Sequence, residues 1–285
     1  MEKIRTTECL SSEEKWNRAN LTDAFIFYRV MTGNPDVCRR LLERLLHIKI
    51  EKIEILGEKF FGIDARSKGI RLDVYARDKD RVFDVEIQVA NTKELPERAR
   101  YYQGVMDVDQ LKSGQPYREL KESHVIFICM EDIFRKGKAC YTFENICLED
   151  MQTKLNDRSI KHFFAAENYD KIEDDNELRA FLKMLETGKT EDSYTQELKR
   201  CTAEAKQSAQ TRRQYMDWDR ELNYAREKGY DTGYDTGYDT GIHKKAVDAA
   251  ENFLRENIST EVIARCTGLS LAEVEEIKNR VVYVK

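Results

Sequence analysis

Proline is scarce in this 285-residue chain, and its three copies, Pro35, Pro96 and Pro116, all fall in the first 116 positions. Everything after them lacks the residue that most strongly breaks helices, so long helices meet no covalent obstacle there. Long apolar runs are missing too. No segment approaches the roughly 20 apolar residues that cross a bilayer, and "MEKIRTTECLSSEEKWNRAN" has no apolar stretch of signal-peptide kind. A soluble, cytoplasmic protein is therefore expected, with no membrane partner. The seven cysteines are odd in number and contain no C-x-x-C pair, which argues against a disulfide framework and a zinc site. The four histidines, His47, His124, His162 and His243, have no metal-ligand spacing, and no nucleophilic triad can be assembled from them. Excess positive charge is absent as well: the formal net charge is -5, which counts against a nucleic-acid binder that works by blanket electrostatics but leaves a local basic groove open.

What is present is material for a substantial core. Hydrophobic residues make up 41% and aromatics 10%, while 35% charged residues point to long polar helices beside that core. After a polar leader over 1–20, "LTDAFIFYRVMTGNPDVCRRLLERLLHI" predicts two helices split at Gly33-Asn34-Pro35, with Thr22 or Asp23 capping the first and Asn34 the second. "IKIEKIEILGEKFFG" alternates as a strand does. Residues 94 to 112 predict a helix beginning near Pro96, and "SHVIFICM" a strand buried on both faces. "ACYTFENICLE" and "SIKHFFAAE" are further strand candidates. The expected fold class is α/β, a mixed sheet flanked by helices, followed by a long helical region over 191–245 and a small helical module over 246–285.

The stretch "RLDVYARDKDRVFDVEIQV" holds the chemistry. It reads as two strands joined by a charged turn, and in the second Phe83, Val85, Ile87 and Val89 share one face while Asp84, Glu86 and Gln88 share the other. On adjacent antiparallel strands, about 4.8 Å apart, Asp73 and Glu86 can bring their carboxylates together if the register allows. Two such carboxylates repel unless a cation sits between them, and Mg²⁺ is suited to the place because it needs only one or two carboxylates and keeps waters and substrate phosphate. Such an ion activates water and stabilises charge on a phosphate being cleaved. The plainer alternative is that a polar strand face is simply the solvent side.

"GIRLDVYARDKDRVFDVEIQ" resembles the catalytic core of the PD-(D/E)XK nuclease superfamily, specifically the Rpn family of recombination-promoting nucleases and transposases. "LTDAFIFYRVM", "ERARYYQGVMD", "LKSGQPYREL" and "VIFICMEDIF" follow the same order, so the resemblance covers most of the chain, with a nuclease-like domain over 21–190. It implies a Mg²⁺-dependent (or Mn²⁺- or Ca²⁺-binding) DNA endonuclease acting in recombination or defence against foreign DNA. Asp73 matches the motif aspartate, Glu86 the second acid, and Gln88 stands where the wider superfamily has lysine. The main-chain carbonyl of Ile87 would be a further metal ligand, and Glu43 on the helix before the sheet the upstream acid. DNA contacts would come from Arg98, Arg100 and Tyr102 on the next helix and from Lys68 and Arg71 before the motif aspartate. Asp84 is open: an accessory acid, a partner for a nearby arginine, or an exposed strand-end residue, the last two being favoured. The rival from another class is a non-catalytic DNA-binding assembly protein built on a degenerate nuclease core.

"GYDTGYDTGYDTG" places Gly229, Gly233, Gly237 and Gly241 every four residues. Read as helix it makes a glycine ridge beside a ridge of Tyr230, Tyr234 and Tyr238, suited to a homodimer contact; read as low-complexity linker it is a hinge. The tail outlines a helix-turn-helix, although Glu273, Glu275 and Glu276 are poor residues for a DNA-reading helix.

Overall fold

The computed structural model describes residues 10–61, 70–89 and 92–282. The chain divides into two compact units, one up to Met216 and one from Asp217 on. The first unit opens with α1 (Ser12–Arg18), α2 (Ala24–Gly33) and α3 (Pro35–Leu46). The leader is thus more than polar tail: Ser11 and Glu14 form a reciprocal capping box, and Trp16 is buried with its ring 5.1 Å from that of Tyr215. Asp23 caps α2 by accepting from the N–H groups of Phe25 and Ile26. Pro35 starts α3, where its missing donor costs nothing, and His47 ends it at φ 54.

Six strands follow: β1 (Glu54–Phe61), β2 (Ile70–Arg77), β3 (Arg81–Gln88), then after α4 (Leu95–Gln110) β4 (Glu122–Cys129), β5 (Cys140–Phe143) and β6 (Ser159–Ala165). They form one sheet in the order β1-β2-β3-β4-β6-β5. β1, β2 and β3 are an antiparallel meander, with Asp78 holding the turn by accepting from the N–H groups of Asp80 and Arg81. β3 and β4 are parallel because α4 carries the chain across the sheet between them. β4 also runs parallel to β6, and β5 adds antiparallel at the edge. Of the segment expected as "ACYTFENICLE", only four residues join the sheet, and Ile146 continues as an isolated bridge to Lys154. α2 lies against β1, β2 and β3, while α4 covers the other face with Leu95, Ala99, Tyr102, Val105 and Met106.

α5 (Asn176–Thr187) and α6 (Ser193–Gln207) complete this unit. The region expected as one long helix is in fact two, because the backbone turns extended at Ser208. Tyr194 explains where α6 goes: its ring is buried beneath Arg40 and Arg44, and its hydroxyl donates to the Val37 carbonyl at 3.0 Å. α7 (Ala209–Arg255) then runs straight through the glycine repeat as helix. Its end packs with α8 (Thr260–Thr267) and α9 (Leu271–Val282) around Ala250, Ile263, Leu269, Val274 and Ile277. Gly268, at φ +75, makes the tight turn that the sequence places there. Among the described residues, no helix is long and apolar enough to cross a membrane.

Two of the histidines that looked unrelated in sequence meet in the sheet. His124 Nδ1 lies 3.1 Å from His162 Nε2, and the pair is closed by Glu122 on one side and Thr142 on the other. Burial pushes His162 down to about 3, so the rings stay neutral and serve packing.

Candidate active site

The register of the meander builds the site. Val74 pairs with Val85 and Tyr75 with Asp84, and one further step along the ladder sets Asp73 across from Glu86 on the same face. In the parallel register beyond, Asp84, Glu86 and Gln88 stand beside Val125, Phe127 and Cys129 of β4. Those three β4 residues belong to the core beneath α4. The polar face of β3 is therefore not the solvent side: Asp84 is 0% exposed, Glu86 3% and Asp73 9%. The reading of Asp84 as an exposed strand end is overturned by this burial, and Arg98 reaches its carboxyl through charge but not through a hydrogen bond.

Buried acids need donors, and only some are supplied. Glu86 Oε1 accepts the main-chain N–H of Asp73 at 2.8 Å, and Oε2 accepts from Arg98 Nη2 at 3.3 Å. Arg98 also donates through Nη1 to Gln88 Oε1 at 2.9 Å and through Nη2 to the Tyr102 hydroxyl at 2.9 Å. Its guanidinium sits 5.3 Å from the ring centres of both Tyr102 and Phe127. Neither oxygen of Asp84 has a hydrogen-bond donor. Its polar neighbour is the Glu86 carboxyl, and two carboxyls bond each other only when one carries a proton. Burial, then the charge of Asp73, raises Asp84 well above the usual carboxylate range; burial, Asp73 and Asp84 do the same to Glu86. Tyr102 is pushed up to about 12 by burial and the Glu86 charge, and Cys129 to about 12 by burial, so both stay protonated near neutral pH.

This donor set fits a hard divalent cation. Three neighbouring carboxyls with two orphaned oxygens offer the ligand type that Mg²⁺ takes, and a positive ion would supply the partner that Asp84 lacks. Among the described residues no three such side chains converge closely enough to enclose an ion by themselves.

The other expected site residues are placed as follows. Ile87 lies in β3 opposite Ile128, with its side chain buried on the α2 face. Glu43 is engaged locally, accepting from the Ile50 N–H at 2.9 Å and from Arg39 at 2.7 Å. Arg98 belongs to the interior of the site, where its donors hold Glu86, Gln88 and Tyr102, and Tyr102 itself is buried. Arg100 is exposed on α4. Arg71 lies on the main chain of β2, whereas Lys68 falls outside the described residues. The burial of Asp84 had a signal: an apolar β4 implies a sheet covered on both faces, so the polar face of the strand beside it must be covered as well.

A mixed sheet whose buried carboxylates gather where a meander meets a parallel crossover defines an α/β protein with an acid-lined strand face beneath its crossover helix. The profile of the PD-(D/E)XK nuclease family transposases matches residues 24–238, and the chain belongs to that family, which includes the Rpn-type transposases. No curated protein and no solved structure matches it.

Proposed function

We propose that the protein is a divalent-metal-dependent DNA endonuclease, hydrolysing phosphodiester bonds in recombination or in defence against foreign DNA. The observation that carries this reading is the fully buried Asp84 carboxyl without a donor, coupled to Asp73 and Glu86. A stable fold has no use for such a group, whereas a metal-dependent hydrolase does. Asp73 and Glu86, with the Ile87 carbonyl and Asp84, would hold the ion, which supplies an activated water and charge neutralisation at the phosphate. Gln88 Oε1 accepts from Arg98 Nη1, which fixes the side-chain amide beside Glu86. A glutamine amide there can orient a water or a phosphate oxygen by hydrogen bonding but, unlike a neutral amine, cannot take a proton. The positive charge that a lysine would bring to this strand comes instead from Arg98, delivered across from α4.

Supercoiled plasmid incubated with the protein and Mg²⁺ or Mn²⁺ should be nicked, and Asp73→Asn or Glu86→Gln should each slow nicking on the order of 10³-fold, since metal stabilisation is worth several kcal/mol. Nicking that survives in both variants would place the chemistry elsewhere; no nicking by the unaltered chain in any divalent metal would favour the non-catalytic assembly protein.

Homodimerisation through α7 belongs to the same reading. Gly229, Gly233, Gly237 and Gly241 face open space, and Tyr230, Tyr234 and Tyr238 stack beside them at 6.3–6.4 Å while remaining exposed. Changing the four glycines to alanine should raise helicity, at roughly 1 kcal/mol per position. In sedimentation the same variant should lose a dimer that the unaltered chain forms. A mass equal to one chain for both proteins would rule the contact out.

A further inference from the structure

We propose that the loop joining β4 to β5 is a preformed cradle for the sugar-phosphate backbone of the DNA, with Arg135, Lys136 and Lys138 as its phosphate contacts; this rests on the nuclease reading above. All three cations are exposed, and among the described residues none has an ion-pair or hydrogen-bond partner for its side chain. That sets them apart from Arg98, whose donors are committed inside the site.

Loops with several lysines are usually mobile, but this one is tied to a buried acid. Asp132 accepts the main-chain N–H groups of Phe134, Arg135, Lys136 and Gly137 at 2.7–3.0 Å and the Tyr141 hydroxyl at 2.8 Å. Its own N–H is held by Glu167, and Asn168 bridges to the Lys138 carbonyl. Arg135 and Gly137 adopt φ 54 and 72, a left-handed path that the Asp132 bonds stabilise. Holding the cations in one geometry removes an ordering cost that flexible lysines would meet on binding.

Position completes the case. β4 and β3 run parallel, so the loop leaves the sheet at the same edge as Glu86 and Gln88, and the Met130 N–H donates to the Gln88 carbonyl at 3.1 Å. Phe134 fixes the face as well. It packs against the core under α4, its ring 5.1 Å from Phe163, which stacks on Phe127, the ring beneath Arg98. The loop that carries the three cations therefore begins at the strand end where Glu86 and Gln88 lie, with Phe134 anchored on the face under α4, and this is the end by which a DNA strand would reach the carboxylates. Exposed Glu131 precedes the loop and Glu167 accepts the Asp132 N–H, while Asp132 is screened by its own donors.

Anisotropy of a labelled DNA duplex with the full chain, in Ca²⁺ and over a series of salt concentrations, tests this. The triple change Arg135→Ala, Lys136→Ala, Lys138→Ala should weaken binding on the order of tenfold or more and flatten the log–log salt slope by about 2 to 3. Asp132→Asn makes the chain less acidic, so a purely electrostatic surface would bind more tightly; the built loop predicts weaker binding, with circular dichroism unchanged. If the unaltered chain binds and nicks DNA while the triple variant matches it, the cradle is wrong and the nuclease reading stands. If the unaltered chain neither binds nor nicks, both fall.

Discussion

Replacing Asp84 by asparagine is expected to raise the thermal midpoint of the metal-free protein while removing the proposed nuclease activity. The carboxyl is fully buried without a donor, and burial together with Asp73 raises its pKa well above the usual range. An acid whose folded pKa exceeds its unfolded value of about 3.9 binds more protons folded than unfolded between the two values. Stability therefore falls as pH rises through that interval, and the full deficit is present above the folded pKa. Glu86, raised for the same reasons, adds to it in the same direction. Metal-free protein should accordingly be more stable in mild acid than at neutral pH, down to where other groups titrate, and Asp84→Asn should flatten that dependence. Neutralising a buried, poorly paired charge is worth about 1 to 4 kcal/mol, or several degrees in midpoint for a domain of this size. Adding Mg²⁺ should stabilise the unaltered chain by about 2.7 kcal/mol at a hundredfold excess over Kd, raising its midpoint, and leave the variant nearly unmoved. Calorimetry that finds the variant less stable than its parent in metal-free buffer at neutral pH would refute this account of Asp84.

Arg98→Ala is expected to lose on two counts. It strips Glu86 of its cation and Gln88 of the donor that fixes its amide, and it empties the space above Phe127. Removing one charge-stabilising donor from a catalytic site costs about 10²–10³ in rate, and breaking a partly buried pair destabilises by about 2 to 4 kcal/mol. Arg98→Lys should not rescue it. A lysine ammonium is a point charge and cannot span Glu86, Gln88 and Tyr102 as the guanidinium does. By contrast, Gln88→Lys added to Arg98→Ala restores a cation within the site and should recover part of the rate in single-turnover cleavage. Wild-type rates in Arg98→Ala would remove Arg98 from the site.

The meander, the crossover helix and the four-residue glycine ridge were all legible from periodicity, because each is a local pattern that the fold keeps. Asp73 and Glu86 were legible as candidates through strand spacing and family resemblance. What alternation could not supply was which side of the sheet faces water. A strand reads alike whether its polar face is solvated or roofed, and only α4, docked through Leu95, Ala99 and Met106, decides it. The hydrogen bonds of Arg98 to Glu86, Gln88 and Tyr102 were hidden for the same reason: on a helix considered alone it is a surface cation, and its place over Phe127 and Tyr102 emerges only when α4 docks. The break at Ser208 carries no glycine or proline; its one mark is the serine itself, whose hydroxyl accepts from the Thr211 N–H at 3.2 Å as a helix cap, and a single serine within a polar helical pattern is easily read through.

The tetrad repeat in α7 also has a geometric meaning of its own. One GYDT unit in a continuous helix advances about 6 Å and turns about 40° around the axis. A tandem unit gained or lost would therefore shift the helix-end cluster of Ala250, Ile263, Leu269, Val274 and Ile277 along and around the α7 axis by that increment while leaving the packing inside that cluster untouched.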